Sequence, residues 1–230
     1  MKEQILEYFP FAKDKVEVIY NGLDLKLQEV SSSDALSIVL RKYALRPGFV
    51  LAVGHLEKRK NYPRLLKAID QLRRQGFVCH LVIVGNIGDG VSEIREQINA
   101  GNLSSAVTIL TGITDQEVRC LYQLCRLFVF PSLYEGFGIP ILEAMAAQKP
   151  MAISDLPVFR EITGNNSFYF DPYDADKISG AIMTVCDSPV EQKRQIEHYV
   201  ERLHTFDYDS LVQDLNTIYD RQMSRVSSSV

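Results

Sequence analysis

Two glutamates eight positions apart bracket a glycine-rich turn in "PSLYEGFGIPILEAMAAQKP", residues 131–150. Glu135 stands before the turn, and Glu143 stands just inside a stretch of helical character. Gly136 and Gly138 permit close backbone approach, and Pro140 suits a first helical turn, where its missing N–H is not needed. The free N–H groups of such a turn make an anion site of the kind that holds phosphate. A second loaded stretch, "GHLEKRKN" (54–61), sets Lys58, Arg59 and Lys60 before Asn61, read as the N-cap of the next helix. Three cations beside the positive end of a helix dipole are unfavourable unless something negative sits there. A carboxylate only accepts hydrogen bonds, so Glu135 and Glu143 would meet hydroxyl groups rather than phosphate. Two carboxylates flanking a phosphate site describe a ligand with hydroxyls on both sides of a diphosphate, as in a nucleotide sugar. The plainer alternatives are a solvated charge run at 58–60 and, for Glu143, simple complementarity to a helix dipole.

The bounds agree with a globular α/β protein. The chain has 230 residues, 46% apolar and 23% charged, with a formal net charge of −4. That length suits one sizeable α/β domain or two small ones, and the negative balance offers no field for nucleic acid. No apolar run reaches the roughly 18 residues that span a bilayer, and "MKEQILEYFPFAKDK" lacks a signal-peptide core. Cys79, Cys120, Cys125 and Cys186 show no metal-type pairing and read as reduced thiols of a cytosolic core. No Walker-type Gly-Lys-Ser/Thr is present, and "GNIGDG" (85–90) fits a dinucleotide fingerprint poorly in spacing and position.

These residues must be held by something, and apolar runs of strand length alternate with helix-period segments. Strands are expected at 16–20, 49–54, 79–85, 107–112, 127–132, 150–154 and 167–171. The middle ones are apolar on both faces, as buried parallel strands are. Helices are expected at 61–75, 91–100 and 115–126, the last opened by a Thr114–Glu117 capping box. Residues 1–15 read as one amphipathic helix, "NGLD" (21–24) as a turn, and Ser33 as an N-cap. Two helices follow residue 187. The rhythm predicts a doubly wound, Rossmann-like parallel sheet with extra terminal helices. The division is 1–46 (helix, first strand, linker), 47–188 (ligand-binding domain) and 189–230 (helices and tail). Ligands of such sheets bind beyond the carboxyl ends of the strands, where both loaded loops fall.

"PSLYEGFGIPILEAMA" resembles the E-x7-E signature of retaining GT-B glycosyltransferases of family 4, also called group 1. "VEVIYNGLD" and "GHLEKRKN" resemble the strand leading into that family's donor domain and its "G-x-L-x-x-R-K-N" loop. "VTILTGITDQEVRCLYQLCRLFVFPS" and "MAISDLPVFREITG" resemble the segments flanking the signature. The resemblance covers one half of a GT-B fold, the nucleotide-sugar-binding domain.

The resemblance implies that Glu135 contacts hydroxyls of the donor sugar and Glu143 the ribose hydroxyls. It implies that Arg59 and Lys60 neutralise the diphosphate, helped by backbone N–H groups of Phe137, Gly138 and Ile139. Gly112 and Ile113 would meet the base. His55 stands where many members carry arginine, and a neutral imidazole supplies less charge there. The implied chemistry is metal-independent hexosyl transfer with retention, without a cofactor, in cell-surface polysaccharide synthesis. GDP-mannose is the first expected donor and UDP-hexose the next. The expected partners are the nucleotide sugar and an acceptor-binding domain or subunit, absent from these residues. The expected location is the cytoplasm, with peripheral attachment to the inner face of the membrane as a variant. The alternative from another class is a non-catalytic nucleotide-sugar-binding module.

Overall fold

The computed structural model describes residues 2–23 and 29–227. Chain order begins with α1 (Lys2–Tyr8), α2 (Ser33–Lys42), β1 (Val50–Val53), α3 (Tyr62–Arg74), β2 (Leu81–Val84), α4 (Val91–Ala100) and β3 (Val107–Leu110). It continues with α5 (Asp115–Leu124), β4 (Leu127–Phe130), α6 (Ile139–Ala146), β5 (Met151–Ser154), α7 (Pro157–Thr163) and β6 (Phe168–Phe170). Three helices close the chain: α8 (Ala175–Asp187), α9 (Pro189–Leu203) and α10 (Tyr208–Ser227). The strands form one parallel sheet in the order β3-β2-β1-β4-β5-β6. Val50 of β1 lies opposite Leu81 on one side and Leu127 on the other, so β1 and β4 are the central neighbours.

Burial on both faces explains the strand sequences. Alternate residues point to opposite layers. Val50, Ala52, Leu127 and Val129 join Leu65, Leu66 and Ile69 of α3, Ile94 of α4 and Ile178 and Ile182 of α8. Leu51, Phe128 and Phe130 join Leu121 of α5, Leu142 and Met145 of α6, Phe159 and Ile162 of α7 and Tyr199 of α9. With no face left to solvent, β2 reads as unbroken Leu-Val-Ile-Val, all buried. Each buried Val, Leu, Ile, Phe or Met side chain contributes about 1.5–3 kcal/mol.

Local signals set the helix ends. The Thr114–Glu117 capping box is complete in both directions. The cap of α2 is Ser32, not Ser33, with its hydroxyl accepting from Ala35 N at 3.2 Å. The helix expected over 1–15 ends at Tyr8, because Pro10 cannot donate and opens a separate 3-10 turn, Pro10–Ala12. The strand expected at 16–20 is not one, and six strands, not seven, make the sheet. Its Tyr20 instead packs on Phe137 and Phe206 and donates to Glu161 at 2.7 Å. Asp24 of the expected turn lies outside the described residues.

The terminal segments meet each other. Leu23 N donates to Phe206 O at 2.7 Å, a bridge joins Leu23 to Asp207, and Arg221 pairs with Glu17 at 2.7 Å. Gly22 is required there, since a Cβ would come within 2.6 Å of the Tyr208 ring. Of the apolar residues in these segments, Ile5 and Phe9 are exposed, while Leu211, Leu215 and Ile218 are half-buried. Among the described residues no helix is long and apolar enough to cross a membrane.

Candidate functional site

The strand order reverses between β1 and β4, and the loops leaving these two strands are the two chemically loaded ones. A crevice at such a switch point is where open α/β sheets bind ligands.

The loop after β1 is held from several sides. Gly54 has φ +152°, and a Cβ there would press to within 2.9 Å of Lys60 Cε, so glycine lets the lysine stem cross the strand end. The buried Tyr62 hydroxyl donates to Gly54 O at 2.8 Å. Lys58–Lys60 form a 3-10 turn, and Asn61 follows in the left-handed region at φ +59°. The side chain of Asn61 does not cap α3. Its amide donates to Pro131 O at 3.0 Å and Pro172 O at 2.7 Å, tying the loop to the β4 exit. "GNIGDG" proves to be a buttress: Asp89 accepts from Lys58 N at 3.0 Å, and Gly90 N donates to Leu56 O at 2.8 Å.

The loop after β4 supplies the acid. Leu133 N donates to Arg59 O at 2.8 Å, stitching the two loops together. Glu135 Oε1 then accepts from Lys60 Nζ at 2.7 Å and Ser132 Oγ at 2.8 Å, and its Oε2 is ion-paired with Arg59 Nη1 at 2.8 Å. Arg59 Nε also pairs with Glu57 Oε2 at 2.7 Å, and His55 Nδ1 lies 3.5 Å from Glu57 Oε1. Lys60 is only 7% exposed at its side chain, with its ammonium 4.6 Å from the Phe130 ring centre. Lys60 is thus more than a solvated surface charge: its stem is wedged between Gly54 and Phe130. Arg59, 43% exposed, remains a surface cation.

From Glu135 the chain passes to α6. Gly138 precedes it at φ +145°, Pro140 lies in its first turn, and no side chain caps it. Phe137 turns its ring onto Tyr20 and Phe206, so its backbone N–H is what it can offer a ligand. Ile139 is exposed and begins the helix. Glu143 is the fifth residue of α6, so the first turn holds no acid and simple dipole complementarity loses its basis. It is half-buried, and its Oε2 accepts from the Tyr122 hydroxyl at 2.8 Å. Burial pushes this carboxyl above the usual range, the Tyr122 hydrogen bond opposes that, and Asp115 adds repulsion.

The structure thus joins His55, Arg59, Lys60 and Glu135 in one bonded network and sets Glu143 apart on its own partner. Gly112 and Ile113 lie at the same end of the sheet, beyond β3, Gly112 exposed at φ +64° and Ile113 half-buried. Glu57, Ser132 and Tyr122 escaped the sequence reading. Ser132 had a usable signal, three residues before Glu135 in the same loop. Tyr122 had none, because "CLYQLC" reads as a buried helix face. Among the described residues, no three His, Cys, Asp or Glu side chains gather as a metal-holding group.

Comparison with known proteins gives the same outline. Residues 41–202 match the family described as Glycosyl transferases group 1. The O-antigen chain mannosyltransferase RfbU of Salmonella typhimurium is 30% identical over 213 residues, 93% of this chain and 55% of that one. The O-antigen chain mannosyltransferase B of Escherichia coli is 30% identical over 184 residues, 79% of this chain and 48% of that one. The chain spans about half the length of these curated relatives. A glycosyltransferase of Rickettsia africae superposes with a TM-score of 0.86 at 20% identity, over 96% of this chain and 60% of that one. Anabaena HepE in complex with UDP and glucose superposes with a TM-score of 0.80 at 23% identity, over 90% and 57%. At these identities the two structures establish the fold.

Proposed function

The chain belongs to the group 1 glycosyl transferases, and we propose that it forms the donor half of a retaining hexosyltransferase of polysaccharide synthesis. The observation that carries this reading is the meeting of Arg59, Lys60 and Glu135 at the β1–β4 switch point, directly before the uncapped start of α6. The diphosphate of a nucleotide sugar lies against the two cations and the N–H groups from Phe137 to Ile139. The ribose hydroxyls reach Glu143, and the hexose hydroxyls reach Glu135. Gly112 and Ile113 border the base.

The donor and acceptor inventory allows this without dismantling the network. An ionised carboxylate has about four lone-pair sites, and Glu135 accepts two hydrogen bonds and sets its other oxygen against Arg59. One site remains for a sugar hydroxyl. Arg59 has five N–H donors, of which the two pairs described use Nε and Nη1. Lys60 keeps donors beyond the one given to Glu135. Fixed cations and helix N–H groups stabilise the diphosphate as it departs, an electrostatic contribution that needs no metal ion in the proposal. Glu135, clamped by two cations and a hydroxyl, is suited to binding hydroxyls rather than to forming a covalent bond.

The mannosyltransferase relatives favour GDP-mannose as donor, ahead of UDP-hexoses. The acceptor is a glycan or lipid-linked glycan held by a further domain, in the same polypeptide or in a partner, on the cytoplasmic side of the membrane. Thermal-shift screening against GDP, UDP, ADP and their sugars tests the donor. A ligand at 100-fold its Kd adds about 2.7 kcal/mol of stability, and GDP-mannose is expected to give the largest shift. No shift with any nucleotide would refute the reading.

A further inference from the structure

We propose that Tyr122 is a positioning residue of the donor site, holding the Glu143 carboxylate with Oε2 committed to the protein and Oε1 turned to the ligand. The proposal rests on the donor-site reading above.

The geometry is specific. The Tyr122 hydroxyl lies 2.8 Å from Glu143 Oε2 and 3.3 Å from Pro140 O, 21 and 18 residues away. A hydroxyl has one proton, and the shorter, charge-assisted contact takes it. A buried tyrosine hydroxyl could be satisfied by the Pro140 carbonyl alone, so the carboxylate is not there for the sake of the tyrosine. Nor does α6 need it: Ile141, Leu142, Ala144 and Met145 around it are buried and apolar. A half-buried charge at that position costs stability unless it is hydrogen-bonded. The pair is therefore retained for what the second oxygen can do.

The Tyr122 ring cannot drift. It is 3% exposed and packs 5.5 Å from Phe128, which packs 5.7 Å from Phe130, the ring beneath Lys60. One aromatic row thus links the partner of Glu143 to the ring beneath Lys60. The titratable groups that act on Glu143 are Tyr122 and Asp115, both from α5, while Cys125 and Tyr62 act on the Tyr122 hydroxyl.

The test is Tyr122→Phe, which keeps the ring and removes the donor, made alone and together with Glu143→Gln. Two quantities are measured: nucleoside diphosphate affinity across pH by calorimetry, and the Glu143 carboxyl titration by carbon-13 NMR without ligand. Tyr122→Phe is expected to weaken GDP or UDP binding roughly tenfold near neutral pH, as a lost hydrogen bond to a charged group does. It is also expected to move the acid limb of the binding profile and the carboxyl titration to higher pH. In the Glu143→Gln background the same change should have no further effect. An unmoved titration, or an equal loss in both backgrounds, would overturn the proposal, since a purely structural role gives that result. Absence of nucleotide binding by the unsubstituted protein would refute the donor-site reading itself, and the titration would still decide whether Tyr122 governs the carboxyl.

Discussion

Lys60 Nζ lies 2.7 Å from Glu135 Oε1, joining the loop after β1 to the loop after β4 across 75 residues of chain. Both side chains are largely shielded, and Ser132 and Arg59 complete the cluster. Glu135→Ala would leave a shielded ammonium without its acceptor and should cost about 1–3 kcal/mol of stability. The same change releases Arg59 and Lys60 toward an anion. Free nucleoside diphosphate should therefore bind at least as tightly as before, while the preference for nucleotide sugar over free nucleotide disappears. Calorimetry with both ligands checks this, and an undiminished sugar preference would remove Glu135 from the sugar subsite.

Arg59 and Lys60 should separate when each is replaced by alanine. Arg59 is a surface cation, so Arg59→Ala is expected to weaken diphosphate binding, more at low salt than at high, with little change in Tm. The Lys60 stem fills the space over Gly54 and beside Phe130, so Lys60→Ala should lose affinity and also about 1–3 kcal/mol of stability. Thermal melts and titrations at two salt concentrations measure both. Equal melting losses for the two variants would contradict the separation.

The contrast between these lysine and arginine positions shows where the sequence stops being informative. Strands such as "LVIV" and "LFVF" and the Thr114–Glu117 box were legible because their signals are local: periodicity, composition and a three-residue spacing. The loops 54–61 and 131–143 stood out as chemically loaded for the same reason, and the structure joins them through Lys60, Arg59 and Glu135. "VEVIY" carried an equally good strand pattern but found no ladder partner, because its Tyr20 is drawn to Phe137 and Phe206, 117 and 186 positions away along the chain. The partners of Glu135 and Glu143 were hidden likewise. Lys60 and Tyr122 reach them only once β1, β4 and α5 are assembled, and nothing in a neighbouring residue announces it.

Glu143 should give opposite pH trends for binding and for stability. Its carboxyl is raised by burial in the folded protein, so the folded state is favoured where the group is protonated. Stability contributed by this group falls as pH rises through the raised folded value, whereas nucleotide affinity rises over the same interval as the carboxylate forms. Glu143→Gln should flatten both trends, and Glu143→Ala should weaken nucleoside diphosphate binding by about 1.5–3 kcal/mol. Denaturant unfolding and calorimetry across pH provide the readings. Parallel trends in the two quantities would exclude an ionised Glu143 as the ribose ligand.

Glu117 provides a control through a group with its own set of partners. Its carboxyl is held down to about 2 by Lys42, the Thr114 backbone and side chain, and Tyr43. A depressed carboxyl contributes stability that is present above its unfolded value and lost as pH falls toward about 2. Thr114→Ala should remove part of the cap, about 1 kcal/mol, without altering nucleotide affinity. A changed affinity would mean that the cap also sets the conformation of Gly112 and Ile113, which precede Thr114 in the same loop.

Sugar transfer should require more than these residues. Holding the acceptor at attack distance and excluding water is worth roughly 7–11 kcal/mol of barrier, and the proposed function assigns both to an acceptor-binding domain. The 230-residue protein is expected to show negligible transfer from labelled donor, and transfer should appear when an acceptor-binding domain is added in cis or in trans. Robust transfer by the isolated chain would place acceptor binding within it.

The central claim is that a nucleotide sugar binds where the loops after β1 and β4 converge. Titration calorimetry of the unsubstituted protein and an Arg59→Ala/Lys60→Ala double variant with GDP-mannose and UDP-glucose tests it most directly. The expected result is one-to-one binding by the unsubstituted protein, competed by the free nucleoside diphosphate and abolished in a double variant whose circular dichroism still reports the folded sheet. Unchanged binding by the folded double variant, or no binding of either ligand by the unsubstituted protein, would contradict it.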